Sequence, residues 1–397
     1  MAYPVKTELF FKTRCFTPQS GISLCEKLMD CYQQFESVSS AAGKSGRSVL
    51  KQTLFIAADN YSEFAQSKQQ LMNCANRHFN PLPPTSVISQ SPEKDSLLLE
   101  INFTDTQNGA ELGFRKNEES AWLVYETSEM KMVVASDLGK TEAPGHVLNQ
   151  SIKAFTELQH ILSAEEMDFS NIVRQWNYIE QITENVNHGD SCSQHYQIFN
   201  DVRSKYYQTA VFKYGFPAAT GIGMDFGGVG IDFIAVKLKQ DNSIIGIKSP
   251  VQFDAYNYSI EVLAENNTMN DFRCTTPKFE RAKILITPEE KLIFVSGTAA
   301  IKGQESTSDF SVEVQTEMTI RNILSLIGSE NLRKYGISGD EKAELNFLRV
   351  YVKFKNDLDR VKMVCEKFFP EIPVVFVVAD ICRPELLVEI EGLASIA

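Results

Sequence analysis

The stretch LRVYVKFKNDLDRVKMVCEKFF (348–369), followed by IPVVFVVADICRPELLVEIEG (372–392), contains an apolar strand, a helix, a short strand and a closing strand. The same order of elements occurs twice earlier in the chain, at 49–103 and at 173–236. In each copy a proline opens the short strand, and a carboxylate follows at nearly the same distance on the closing strand. These pairs are Pro84 and Glu100, Pro217 and Asp232, and Pro373 and Glu389. A repeat of this kind sets the architecture, because each copy is one folding unit.

The repeat predicts an α+β fold built from similar units within one chain. Strands alternate with helices and hairpins, a pattern typical of a mixed sheet with two helices on one face. We place a first unit at 1–105, a second at 106–240 and a third at 279–397. The stretch between the last two, 241–278, is rich in Asn and Thr, and we interpret it as an insertion or junction. A chain of 397 residues is long enough for two or three domains.

The composition is typical of a globular protein, with 43% apolar and 23% charged residues. The net charge of −12, from 39 basic and 51 acidic residues, argues against a general nucleic-acid surface. A small anionic substrate is compatible with it, since a few arginines suffice to bind one. The sequence has no apolar run long enough to cross a membrane, and its first residues lack a secretory apolar core. We therefore expect a cytoplasmic protein without nucleic-acid or membrane partners.

The eight cysteines form no CxxC pair and the five histidines are scattered, so the spacing typical of metal ligands is absent. In a reducing cytosol most of these cysteines are expected to be buried small hydrophobic residues. We expect neither a metal ion nor a cofactor. The cysteines occupy positions 15, 25, 31, 74, 192, 274, 365 and 382.

The third unit contains four motifs in a characteristic order and spacing: LIFVSGT (292–298), VQ (314–315) with Thr319 and Asn322, VYV (350–352) and EIE (389–391). Through these motifs the unit resembles the RidA/YjgF family over about 281–397. Members of that family are trimers with sites at their subunit interfaces. The resemblance therefore implies three RidA-like units arranged as a pseudo-trimer within one chain, which we expect to act as a monomer.

The deaminases of the RidA/YjgF family carry an arginine shortly after the proline of the inner strand. This chain has Pro217-Ala218-Ala219 and Pro373-Val374-Val375 at the corresponding places, so that arginine is missing from both. A RidA-like enamine/imine deaminase is therefore an alternative function that the sequence disfavours.

Five further motifs are spread over most of the chain: VRQWNYI (173–179), YQxFNxxR (196–203), FPAATGIG (216–223), SGTA (296–299) and ADICR (379–383) followed by Glu389. Through these motifs the chain resembles the chorismatases. Those enzymes are RidA-like in fold and remove the enolpyruvyl group of chorismate as pyruvate. This chain differs in being longer around 240–278 and in having Asp232 where a small residue is expected.

The chemistry implied by that resemblance makes specific demands on the protein. Chorismate is a dicarboxylate with a vinyl ether, and cleavage begins with a proton added to the terminal methylene carbon. Water or a neighbouring hydroxyl then captures the oxocarbenium ion, and pyruvate leaves with either 3-hydroxybenzoate or a dihydroxycyclohexadiene carboxylate. The protein must supply an acid of raised pKa and cationic groups for the carboxylates. A non-catalytic metabolite-binding protein of the same fold is a further alternative.

Glu389 resembles the general acid of the chorismatases. Its apolar neighbours in LLVEI (386–390) are expected to raise its pKa by desolvation. The alternative is an outward-facing carboxylate on an alternating strand. Glu391 lies on the same strand face, so one of the two glutamates is expected to be solvated or paired instead.

Arg203 and Tyr196 are separated by seven residues and so share one face of a predicted helix. A guanidinium beside a phenol suits a carboxylate, while the alternative is a surface arginine paired with Asp201. Thr220 and Gly221 are expected to present backbone N–H groups to an anion, unless the glycine only marks a crowded sheet.

Cys382 lies seven residues before Glu389. By resemblance, a cysteine here favours 3-hydroxybenzoate as the product, and the alternative is a buried structural thiol. Arg383 either binds a carboxylate or caps the turn. Because these candidates lie on the second and third units, we expect the pocket at the interface of those units.

Overall fold

The first unit forms a four-stranded sheet with two helices. In this computed structural model, residues 11–41, 47–105, 110–140, 146–188, 191–239, 243–259, 275–287, 290–307, 309, 311–338 and 341–396 are described. The Asn60 side chain accepts a hydrogen bond from the Glu63 N–H and so caps the N-terminus of the second helix. The strands run in the order β1-β4-β2-β3. The elements are β1 (Lys12–Phe16), α1 (Leu24–Ala41), β2 (Arg47–Ile56), α2 (Tyr61–His78), β3 (Thr85–Ser89) and β4 (Leu97–Asp105).

The second sheet has six strands in the order β11-β8-β12-β7-β6-β5, and β9 pairs with β10 beside it. The edge strand β5 was not predicted, because most of its residues are exposed and carry no apolar alternation. The elements are β5 (Glu111–Lys116), β6 (Ala121–Glu126), β7 (Met130–Leu138), α3 (Val147–Ala164), β8 (Ile172–Glu180), β9 (Asn185–His188), β10 (Ser191–Gln194), α4 (His195–Tyr207), β11 (Ala218–Met224) and β12 (Val229–Leu238).

The third sheet also has six strands, in the order β13-β14-β15-β20-β18-β19. Its first strand, β13, falls inside the expected junction 241–278, so this sheet begins before the expected unit boundary at 279. The elements are β13 (Ser243–Ile247), β14 (Ala282–Ile286), β15 (Lys291–Ala299), β16 (Ile301–Lys302), β17 (Glu305–Ser306), α5 (Val312–Leu326), α6 (Ser329–Leu332), β18 (Ala343–Val352), α7 (Leu358–Phe368), β19 (Val374–Val378) and β20 (Val388–Ile396).

The three sheets share one core motif, in which a strand pairs in parallel with the strand after its helix and antiparallel with a closing strand. The parallel pairs are β2 with β3, β8 with β11, and β18 with β19. Strand register makes three positions equivalent. The matching cross-strand pairs are Thr53 with Glu100, Trp176 with Asp232, and Arg349 with Glu391. The counterpart of Glu100 and Asp232 is therefore Glu391, and not Glu389 as the spacing from the proline suggested.

The sheets face one another around a shared apolar core, and each packs its helices against its other face. The shared core includes Phe55, Tyr178 and Tyr351, all fully buried, one from each sheet. Each such side chain contributes about 1.5–3 kcal/mol by leaving water. The arrangement is the pseudo-trimer expected from the repeat.

Buried ion pairs join each closing strand to the neighbouring sheet. Lys51 pairs with Asp232 at 2.9 Å, and Arg174 of the second sheet pairs with Glu391 of the third at 2.7 Å. Arg349 of the third sheet pairs with Glu100 of the first at 2.5 Å. Removing one partner of such a pair leaves an uncompensated buried charge, at a typical cost of about 3–5 kcal/mol. These contacts therefore specify how the three sheets meet.

Two cysteines depart from the expectation of unpaired thiols. Cys25 of α1 and Cys74 of α2 form a disulfide with a Cα–Cα distance of 5.8 Å, because the two helices pack side by side. Cys31 and Cys365 are buried free thiols, as expected. The side chains of Cys192 and Cys274 lie outside the described residues. Among the helices described, none has the length and apolar character needed to cross a membrane.

Candidate functional site

A cavity opens where the second sheet meets the third, which is the predicted interface. Its walls come from α4, β11, β15, the segment before β14, and the loop that leads into β20. Six of the seven residues singled out in the sequence line it: Tyr196, Arg203, Gly221, Cys382, Arg383 and Glu389.

Glu389 is 5% exposed and faces this cavity from β20. Within the described part of the chain, its carboxyl group forms neither a hydrogen bond nor an ion pair. Burial, followed by repulsion from Glu391, raises the pKa of Glu389 to about 8, while Arg174 and Arg281 act in the opposite direction. A carboxylic acid in this state remains protonated near neutral pH and is available to donate a proton.

Glu391, two residues further along the same strand face, is the paired member of the two. Its oxygens accept hydrogen bonds from Arg174 at 2.7 Å, Thr220 at 2.5 Å and Trp176 at 2.8 Å. Burial opposes ionisation of Glu391, but Arg349 and Arg174 outweigh it and hold the pKa below its ordinary value. The two glutamates thus occupy opposite protonation states, set by their partners.

Gly297 lies directly against the Glu389 carboxyl group. A β-bulge between Val295 and Thr298 places it there, where β15 runs beside β20. A Cβ atom at position 297 would overlap Glu389 Oε1. Glycine is therefore the residue that leaves room for the carboxyl group.

Helix α4 forms the wall that carries Tyr196, Asn200 and Arg203. Arg203 is 1% exposed and donates to Asn200 Oδ1 at 2.5 Å, whereas Asp201 accepts from Thr275 and Gln197. The alternative of a surface arginine paired with Asp201 is therefore wrong. Arg203 Nε and Asn200 Nδ2 are buried and lack a hydrogen-bond partner among the described residues, so both donors remain for a ligand.

Thr220 and Gly221 differ in what they face. The Thr220 hydroxyl donates to Glu391 and accepts from Gly297 N at 3.0 Å, so this side chain is directed away from the cavity. Thr220 does not line the cavity, and its expected binding through the backbone N–H stays a prediction. Ala219 and Gly223 donate their N–H groups away from β8, to Ser296 Oγ and Asp380 O. Strand alternation directs the Gly221 N–H to the same side, towards the cavity.

Tyr258 and Arg281 also line the cavity, and neither was predicted from the sequence. Arg281 donates to Tyr258 Oη at 2.5 Å and to Phe253 O at 2.6 Å. The guanidinium groups of Arg281 and Arg383 lie 5.7 and 5.3 Å from the Tyr258 ring centroid. The expected junction thus supplies a cavity wall. Arg281 could have indicated this wall from the sequence, because it is a charged residue directly before the apolar run AKILI (282–286).

Cys382 is partly buried beside Tyr196 and Glu389. Burial, followed by the charge of Glu389, raises the pKa of the Cys382 thiol to about 12, so the thiol is neutral. Arg383 donates to Gln304 O at 2.9 Å and to Ser306 Oγ at 3.0 Å, which anchors the loop while its guanidinium stays at the cavity wall.

A wider cleft of about 930 Å³ runs between the first and third sheets, past Phe11 and Phe369. None of the residues singled out by the sequence motifs lines it, so the chemistry points to the smaller cavity. Asp232 is fully buried with Lys51 and does not line that cavity either.

Several known proteins are similar to this chain in sequence. Residues 110–235 match the family model described as chorismatase FkbO/Hyg5-like, N-terminal. A 3-hydroxybenzoate synthase of Streptomyces hygroscopicus is 30% identical over 266 residues, which cover 64% of this chain and 72% of that protein. A chorismatase of the same organism is 31% identical over 226 residues, covering 56% of this chain and 61% of that one.

A crystal structure of a chorismatase aligns over 97% of this chain and 99% of its own, with a TM-score of 0.67 and 22% identity. The expected α+β fold of repeated units is confirmed by this match and by the strand order of the three sheets. The chain belongs to the chorismatase family of enzymes.

Proposed function

We propose that this enzyme cleaves chorismate and releases pyruvate, with Glu389 as the general acid. The observation that carries this proposal is the buried carboxyl group of Glu389, which lacks a partner among the described residues and faces a cavity walled by three arginines. Its burial raises the pKa to about 8, which keeps it protonated at neutral pH. A dicarboxylate that must receive a proton on carbon matches both features.

The cationic groups lie on two sides of the cavity and suit two carboxylates. On the α4 side, Arg203 and Asn200 offer the free Nε and Nδ2 donors, and the Tyr196 hydroxyl stays protonated because burial raises its pKa. On the opposite side, Arg281 and Arg383 flank Tyr258. Binding one carboxylate on each side would hold the enolpyruvyl group in a fixed orientation relative to Glu389.

In the proposed mechanism, Glu389 donates its proton to the terminal methylene carbon of the vinyl ether, and the π electrons form the new C–H bond. Water or the neighbouring ring hydroxyl attacks the resulting oxocarbenium carbon. With water, a proton returns to Glu389, the hemiketal collapses, the bond from its central carbon to the ring oxygen breaks, and pyruvate leaves together with the diol. With the ring hydroxyl, its proton returns to Glu389 and a cyclic ketal forms. The bond from the ring carbon to the attacking oxygen then breaks, so that this oxygen becomes the carbonyl oxygen of pyruvate. The ether oxygen stays on the ring and takes up the proton that the neighbouring ring carbon loses as the ring becomes aromatic.

We further propose 3-hydroxybenzoate as the ring product. Support comes from Cys382, a neutral thiol in the cavity wall, and from the relative named 3-hydroxybenzoate synthase. Pyruvate and 3-hydroxybenzoate together contain the same atoms as chorismate, so this product forms without net consumption of water.

The test is to incubate the purified protein with chorismate and follow pyruvate with coupled lactate dehydrogenase. Pyruvate release well above the background rate is expected, with 3-hydroxybenzoate identified by chromatography. A cyclohexadiene diol as the ring product would still show that chorismate is cleaved, but it would refute 3-hydroxybenzoate as the product. Absence of pyruvate, together with hydrolysis of a simple imine, would favour the deaminase; ligand-induced thermal stabilisation without turnover would favour a binding protein.

A further inference from the structure

The carboxylate next to the general acid belongs to a buried chain of charges that reaches the first unit. Glu391 pairs with Arg174 and, through Oε1, with Arg349 at 2.9 Å. Arg349 also binds Glu100 on β4 through Nη2 at 2.5 Å and Nε at 3.1 Å. All four side chains are at most 4% exposed, so solvent screens them little.

The four charges of this quartet (Glu100, Arg174, Arg349 and Glu391) balance. Two guanidinium groups neutralise two carboxylates, so the quartet carries no net positive charge. Within it, Arg174 favours ionised Glu389 and Glu391 opposes it. The titratable or charged groups that face Glu389 are Glu391 on its own strand, Arg174 on β8, Tyr196 and Arg203 on α4, Tyr258 and Arg281 before β14, and Cys382 and Arg383 on the loop before β20.

The first unit contributes none of the cavity-lining residues in the described part of the chain. We propose that Glu100 of this unit is nevertheless a positioning residue for catalysis, because it neutralises Arg349 and thereby keeps Glu389 protonated. This inference rests on the proposed role of Glu389 as the general acid. It assigns the first unit a function in a reaction that takes place between the other two.

The equivalent position in the second unit provides a matched control. Asp232 occupies the same register position as Glu100 and is also fully buried, but its ion pair is with Lys51, on the other side of the pseudo-trimer. Loss of Asp232 therefore disturbs a comparable buried pair without uncovering the charge of Arg349.

The experiment compares the pH dependence of kcat/KM in the wild type, Glu100→Gln, Asp232→Asn and the double variant Glu100→Gln with Arg349→Met. Glu100→Gln leaves one excess positive charge, which favours the ionised form of Glu389. The alkaline limb of the kcat/KM profile should therefore move to a pH about one unit lower. The double variant restores the balance and should return the limb towards its wild-type position. A purely structural role predicts instead that the double variant is no better than the single one.

A second readout does not depend on turnover. Infrared difference spectroscopy follows the protonated carboxyl band that is present in the wild type and lost in Glu389→Gln, as a function of pH. Glu100→Gln should lower the midpoint of this titration, and Asp232→Asn should move it less. An unchanged midpoint in folded Glu100→Gln would overturn the inference. A shifted midpoint in a protein that releases no pyruvate would refute the proposed function but would still support the electrostatic link between Glu100 and Glu389.

Circular dichroism and thermal unfolding establish that each variant is folded. If Glu100→Gln alone does not fold, the double variant decides, since an apolar replacement for a buried ion pair is often tolerated. In that case a wild-type profile in the double variant supports charge balance, and a profile shifted by one unit or more contradicts it.

Discussion

Glu389 and Glu391 lie two residues apart on one face of β20, yet among the residues that the structure describes only Glu391 is paired with arginines. This difference makes Glu389 a neutral acid and Glu391 a fixed anion, although the sequence places them in nearly identical surroundings. Glu391 also raises the pKa of Glu389 through its negative charge. The proposed proton donor, Glu389, and its electrostatic support, Glu391, are therefore two different residues of one strand.

Replacing Glu389 with Gln should lower kcat for pyruvate release by roughly 10²–10⁴-fold, because general acid catalysis typically contributes that much. The fold should persist, since Gln has the same shape as the neutral carboxyl group. The measurement is the coupled pyruvate assay, with Glu366→Gln on exposed α7 as the control for an unrelated glutamate. Unchanged turnover in Glu389→Gln would remove Glu389 from the mechanism.

The rate should fall above about pH 8, where Glu389 loses its proton. The free energy of unfolding should also fall as the pH rises. Between the ordinary pKa of 4.5 and the folded value of about 8, the folded protein binds a proton that the unfolded chain has lost, so the free energy of unfolding decreases as pH rises. Glu389→Gln lacks this contribution, and urea denaturation at several pH values should show its stability advantage growing towards alkaline pH. An advantage independent of pH would contradict the raised pKa.

Substituting Gly297 with Ala should reduce kcat by roughly 10²-fold, because the new Cβ would overlap Glu389 Oε1 and rotate the acid out of place. Steady-state kinetics would show this mainly in kcat, with binding by the arginines largely retained. Gly113→Ala provides the matched control, since a Cβ at that position meets only the Arg115 side chain, at 3.7 Å. Equal kinetics in the two variants would show that Glu389 does not depend on the space at position 297.

Replacing Arg203 with Lys should raise KM about tenfold or more, since an ammonium cannot reproduce the planar fork that binds a carboxylate. The free Nε donor of Arg203 is the contact expected to be lost. Arg321→Lys, on the exposed face of α5, controls for the general effect of the exchange. A wild-type KM in Arg203→Lys would place the substrate carboxylates elsewhere.

Much of this site could be predicted from local sequence, because the repeat fixes which strand closes each unit and hence where Glu389 lies. Choosing between Glu389 and Glu391 could not be done in this way. Arg349, 42 residues away in sequence, meets Glu391 across neighbouring strands of the third sheet. Arg174, 217 residues away, meets it only when the second sheet packs against the third. The partner of the Thr220 side chain could not be predicted for the same reason, since its hydroxyl binds Glu391 across that interface. Tyr258 was missed because the junction carries no periodic pattern that would place it beside a strand end.

Tyr258 makes the contribution of this junction testable in two steps. Tyr258→Phe removes the hydroxyl that accepts from Arg281 but keeps the ring beside both guanidinium groups, whereas Tyr258→Ala removes both. KM for chorismate should therefore rise modestly in the first variant and by roughly tenfold in the second, with smaller changes in kcat. Tyr214→Ala, at a side chain that is 43% exposed, controls for loss of a tyrosine outside the cavity. If Tyr258→Ala matches this control in KM, the junction only covers the cavity, and Arg281 and Arg383 are oriented by their backbone contacts alone.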